Sequence, residues 1–145
     1  MRMVITDAGK VEALFSALCA VDTALFEDWW IELFKSNTTV TSASVLSDFT
    51  LADFAGYLRV SQTRAQFHGA AITGTVARTG NLNSVSFSST DGAGQLVYGW
   101  IMVGKVSGDV FAGQNFDLPR NMNSGAVESL DPFNFDLATL CLCAE

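Results

Sequence analysis

About two thirds of the way along the chain runs an eight-residue stretch, Leu96-Val97-Tyr98-Gly99-Trp100-Ile101-Met102-Val103, apolar at odd and even positions alike. Successive side chains of an extended segment point to opposite faces, so this strand is apolar on both. Such a strand belongs at the centre of a sheet, covered on each side. Gly99 within it marks the close approach of another backbone. The stretch is far shorter than the roughly 20 apolar residues of a membrane helix, and water-exposed apolar faces of that size are unfavourable, so it must be buried inside a protein core.

The segments around it read mostly as short strands. Residues 29–35 alternate, with Trp29, Ile31 and Leu33 on one side and Trp30, Glu32 and Phe34 on the other. Residues 36–47 are rich in Ser and Thr, hold neither Gly nor Pro, and read as an extended surface loop. A helical turn is expected at residues 50–54, capped by Thr50 and stopped by Gly56, followed by a strand over residues 57–61. Residues 63–79 read as one long bulged strand, because Gly69 and Gly74 interrupt it. Val85 and Phe87 alternate with serines, and Asp91-Gly92-Ala93-Gly94 is expected to close a hairpin onto the apolar strand. Ser107-Gly108-Asp109 makes the next turn, residues 110–118 another strand and residues 119–125 a loop. The last strand runs from about Pro132 and changes phase near Thr139.

Only one segment reads as a convincing helix. From Val11 the apolar residues Leu14, Phe15 and Leu18 keep helical offsets, with Thr6 or Asp7 available as cap. The expected fold is therefore mainly β: a β-sandwich or partly closed antiparallel barrel of about seven or eight strands with one N-terminal helix. The 145 residues suffice for one domain, with the N-terminal segment and helix at about 1–22 and the β domain at about 28–143.

Composition narrows the function. Hydrophobic residues make up 49% and charged ones 16%, which excludes disorder and leaves apolar surface for an interface. The net charge of -7 repels polyanions, and Arg59, Arg64, Arg78 and Lys105 are well separated in sequence, so nucleic acid is not an expected partner. Folding can still gather some of those cations. Acidic and polar residues at Thr6 and Asp7 interrupt any signal-peptide core, and a soluble protein is expected, with no membrane partner.

A search for catalytic groups returns little. His68 is the only histidine, which excludes a two-histidine metal site within one subunit, and no G-x-S-x-G elbow is present. Cys19, Cys141 and Cys143 lack the spacing of a zinc pair and read as buried reduced thiols, although Cys141 and Cys143 share a strand face on which a soft metal has two ligands. Glu27 and Asp28 lie beside Trp29 and Trp30, a faint sugar-site pattern that reads more simply as a solvated turn. Gly92 and Gly94 lack the lysine of a phosphate loop, and the sequon Asn37-Thr38-Thr39 has meaning only in a secreted eukaryotic protein. The expectation is a protein without enzymatic activity, metal or cofactor.

Leu33-Phe34-Lys35-Ser36-Asn37-Thr38-Thr39, followed by Asp48-Phe49-Thr50-Leu51-Ala52-Asp53-Phe54-Ala55-Gly56-Tyr57, resembles a pattern in small structural proteins of tailed-phage virions, of the capsid decoration or cement type. The likeness continues more weakly at Tyr98-Gly99-Trp100-Ile101-Met102-Val103 and Phe116-Asp117-Leu118-Pro119, and in all covers about half the chain. It departs at Val40, where such proteins often carry proline. The resemblance implies a cement protein that stabilises the head by bridging major capsid proteins, forms a homotrimer, and sits on the capsid surface of particles assembled in the bacterial cytoplasm. A tail or baseplate component is the alternative within that family.

Termini and loops reach partners without disturbing a core, so Met1, Arg2, Met3 and Val4 and the loop residues Asn37, Thr38, Thr39 and Val40 are the expected contacts. Trp29, Trp30 and Trp100 are candidate interface anchors, with core packing the simpler reading of each. Outside the phage family, a carbohydrate- or receptor-binding β module that stacks sugars on exposed Trp or Tyr remains open, as does an enzyme using His68.

Overall fold

The computed structural model describes residues 3–9, 28–63, 71–73, 76–80, 84–90, 92–130 and 134–136. In chain order the strands are β1 (Val4–Ile5), β2 (Trp29–Phe34), β3 (Val60–Gln62), β4 (Ala71–Thr73), β5 (Val76–Gly80), β6 (Val85–Ser88), β7 (Leu96–Gly104), β8 (Val110–Asn121), β9 (Val127–Leu130) and β10 (Asn134–Asp136). The protein is mainly β, and its principal sheet is open, so the barrel alternative is not realised. That sheet has the order β1-β8-β7-β2-β3, with every pairing antiparallel.

The doubly apolar strand β7 takes the central position that its composition demands. On one face Trp100 and Met102 join Ile31, Leu33 and Ala112 in a core closed by Val85 and Phe87 of β6 and Leu130 of β9. On the other face Ile101 and Val103 pack with Phe34 and Val110 beneath Val40 and Phe49 of the Ser/Thr-rich segment. Full burial of each large apolar side chain is worth about 1.5–3 kcal/mol, so neither cover is dispensable. The β6–β9 ribbon thus forms a second β layer, whereas the opposite layer is irregular chain.

Gly99 is where these layers meet most tightly. It stands in register between Phe34 of β2 and Asn115 of β8. A Cβ placed there would run into the Gln114 carbonyl oxygen and lie 2.6 Å from Phe34 Cζ. Immediately before it the register slips. Val97 pairs with Arg120 and Gly99 with Asn115, so residues 116–119 stand opposite Tyr98 alone. Pro119 lies in this excursion, where no ladder donor is required.

At the N-terminus Thr6 is fully buried and its hydroxyl donates to the Val110 carbonyl. The same oxygen accepts the Gly9 amide at 3.0 Å, the bond of a helix N-cap, and residues 7–9 are helical. The expected helix through Leu14, Phe15 and Leu18 lies outside the described residues.

Several sequence expectations are corrected. Residues 50–54 form no helical turn: Leu51 bridges to Phe34, Lys35 N donates to Thr50 O at 2.8 Å, and Ala52 N to Leu33 O at 2.9 Å. Pairing with an existing strand outcompetes a single turn that would bear the full nucleation cost of a helix. The strand after Gly56 starts at Val60 and not at Tyr57. In place of one long bulged strand over residues 63–79, β4 and β5 pair antiparallel, and β5 pairs also with β10. The expected hairpin between β6 and β7 is absent, because both edges of β7 are taken by β2 and β8, and β6 pairs with β9. Strand β8 continues past Leu118 to Asn121, and β9 has no counterpart in the sequence reading.

Gly99→Ala is expected to lower stability by about 1–3 kcal/mol, since the new methyl forces backbone or Phe34 to move. Urea unfolding measures this, and an unchanged midpoint would contradict the packing described here.

Candidate interaction surface

The segment from Leu33 to Tyr57 leaves the central sheet, crosses one of its faces and returns. Its two ends are tied together. Lys35 Nζ lies 2.7 Å from Asp53 Oδ2, and Gln95 binds both the Asp53 carboxylate, at 2.6 Å, and the Asp53 amide, at 3.0 Å. These bonds hold the Asp53 carboxyl below the usual carboxylate range, the Lys35 bond contributing most. Tyr57, which follows the positive-φ turn residue Gly56, directs its hydroxyl into the base of the loop and accepts the Leu33 amide at 3.0 Å. Burial pushes its phenol above the ordinary range.

The body of the loop is also anchored. Phe49 packs on Phe34 with ring centroids 4.9 Å apart. Asn115 of β8 accepts the Val40 amide at 2.8 Å and donates to the Thr38 carbonyl at 2.7 Å. Thr38 donates its hydroxyl within the loop, to Ser36 or to the Asp48 carbonyl. Beyond it, Asp48 accepts the Val45 amide at 2.9 Å and closes a short 3-10 turn, Leu46–Asp48. An extended surface loop is therefore present, but it is a layer of the fold and its conformation is fixed.

This arrangement sorts the expected contact residues. Asn37 and Thr39 are exposed, Thr38 is half-buried, and Val40, at 4% exposure, is part of the core. Met3 and Val4 are half-buried in and beside β1, and Met3 packs against the core shared with β6 and β9. Trp100, at 3% exposure, is core as well. Val40 and Trp100 consequently offer a partner no side-chain surface. Met1 and Arg2 lie outside the described residues, as do His68, Cys19, Cys141 and Cys143.

The two adjacent tryptophans diverge because they project from opposite faces of β2. Trp29 is half-buried against the core, 5.8 Å from the Phe111 ring. Trp30 instead carries two cations over its ring, Arg59 at 4.1 Å and Lys105 at 4.4 Å from the centroid. Residues 46 positions apart in sequence are gathered here, which their spacing alone could not reveal. Each such contact is worth about 0.5–1 kcal/mol at an exposed site. Each cation also has a carboxylate nearby: Glu32 lies 3.6 Å from Arg59, and Asp28 3.9 Å from Lys105, whose Nζ reaches Ser61 Oγ at 2.6 Å. The patch is thus charge-balanced and presents no net basic field to nucleic acid. A sugar ring stacking on Trp30 would have to displace a cation, which weighs against a glycan platform there.

Among the described residues no group of three or more His, Cys, Asp or Glu side chains is placed to hold a metal ion, and no helix is long and apolar enough to cross a membrane. The surface is a β layer faced by a hydrogen-bonded loop whose residues 36–47 carry no charge. No protein-family model matches the chain, and comparison with characterised proteins finds no match.

Glu32 supplies a titration test. Burial raises its carboxyl above the ordinary value, outweighing the opposing pull of Arg59. A folded-state value above the unfolded one means that the native chain holds the proton more tightly, so this group favours folding at low pH and that contribution is lost as pH rises through the folded value. Glu32→Gln, a neutral mimic, is expected to melt higher than the parent at pH 8, with the gap closing toward pH 4. A variant that melts lower at pH 8 would show that the Arg59 pair outweighs burial.

Proposed function

We propose that this chain is a non-catalytic structural protein of a tailed-phage virion, a capsid decoration protein that stabilises the head by bridging major capsid subunits. The observation that carries the reading is the closed loop of residues 33–57. The residues that form the resemblance to virion proteins are the ones that build this loop: the tilted rings of Phe34 and Phe49 pack together, Lys35 and Asp53 pair at its neck, and Tyr57 caps the Leu33 amide. The stretch that carries the resemblance is thus one structural unit of the sheet, which supports reading it as a single motif.

The physics of a cement protein suits the surface. A shell protein works by adding contacts between subunits already assembled, so it gains most from segments whose ordering cost is met before binding. The fixed loop is such a segment. Exposed apolar residues elsewhere on the surface, Leu58, Val106 and Leu118, give further contact points on a small domain. The same reading makes copies of this chain its partners in a homotrimer and places assembly in the bacterial cytoplasm.

Heads assembled without the chain are expected to form, yet to rupture or release genome at a lower temperature and under milder osmotic shock. Adding the purified protein restores their resistance. Heads of unchanged stability would reject the cement role, and cryo-electron microscopy showing the chain on the tail would assign it there instead.

A further inference from the structure

Asn115 ties the middle of the loop to the sheet through both the oxygen and the nitrogen of its side-chain amide. Its oxygen takes the Val40 amide and its nitrogen gives to the Thr38 carbonyl, at 2.8 and 2.7 Å. Those are the two bonds that one residue of a parallel neighbouring strand would make with its own N–H and C=O, so the side chain acts as a surrogate strand for residues 38–40. The consequence is a fixed alternation. Thr38 and Val40 turn inward, while Asn37 and Thr39 turn outward and are exposed.

We infer that Asn115 is a positioning residue that holds Asn37 and Thr39 as a pre-formed contact for the uncharged, main-chain-rich surface of a neighbouring protein subunit. The inference rests on the virion reading above and names the residues through which that surface works. The partner's chemistry follows from the loop. Residues 36–47 hold no charged side chain in a chain of net charge -7, so this stretch of the loop itself offers neither a cation for a polyanion nor an ion pair for a charged patch. It has no aromatic residue on which a sugar could stack. What it does offer is an amide and a hydroxyl, each able to donate and accept, which matches peptide N–H and C=O groups. Short side chains on a fixed backbone lose little freedom on binding.

The test uses the full-length chain and heads of the encoding phage assembled without it. Hydrogen exchange at the Val40 amide reports the clamp, and binding kinetics report the contact. Asn115→Ala is expected to lose protection at Val40 and to bind about tenfold more weakly through faster dissociation, because an unclamped loop must be ordered on binding. Asn115→Asp, which keeps the acceptor for Val40 and loses the donor for Thr38, should fall between. Thr39→Glu should abolish binding while Val40 protection and melting stay unchanged, and it carries the test if Asn115→Ala does not fold. Asn115→Ala that binds like the parent with Val40 unprotected would overturn the positioning role, and Thr39→Glu that binds like the parent would overturn the contact. A parent chain that binds no heads would instead overturn the virion reading itself.

Discussion

A strand that is apolar on both faces can exist in water only if something covers each of them, and the rest of this fold is the answer to that requirement. β7 lies between β2 and β8, which settles its edges. Its faces need separate covers, and the chain supplies two of different kinds: the β6–β9 ribbon on one side and the loop through Val40 and Phe49 on the other. A ribbon satisfies its own backbone groups through pairing. An irregular loop cannot, which is why side chains such as Asn115, Asp48 and Tyr57 are drawn in to serve main-chain amides and carbonyls.

The loop is therefore both core and surface. Its inward residues complete a hydrophobic layer, and its outward ones inherit a conformation that they do not themselves stabilise. This division leaves the outward residues free to vary while the inward set keeps the fold. The Trp30 cluster shows the same economy in another form: cations that would otherwise extend into solvent lie over an indole, beside carboxylates that balance them.

Much of this was legible in the sequence where one physical requirement dominated. The double apolarity of residues 96–103 fixed the central strand, Gly99 announced the close approach of Phe34 and β8, and the alternation of Val85 and Phe87 with serines matched the inward and outward faces of β6. The failures share a cause, which is that long-range pairing leaves no local mark. Nothing near Leu51 shows that its backbone will bridge to Phe34, and nothing near Phe87 shows that its strand will choose β9 over β7. The extended loop of residues 36–47 was read from its composition, but its clamp was not, because Asn115 lies 75 residues from Val40. The Arg59 and Lys105 pair over Trp30 was hidden for the same reason.

The excursion opposite Tyr98 has a consequence for how the chain can change over evolutionary time. Residues 116–119 are passed over by the ladder, so the pairing of β8 with β7 is set independently on either side of them. An insertion or deletion in most strands shifts every later side chain to the wrong face. Here added residues lengthen the excursion and leave both registers intact, with Leu118 already 71% exposed at its surface. The site is a natural seam for a grafted peptide, set within the same sheet whose centre is closely packed around Gly99.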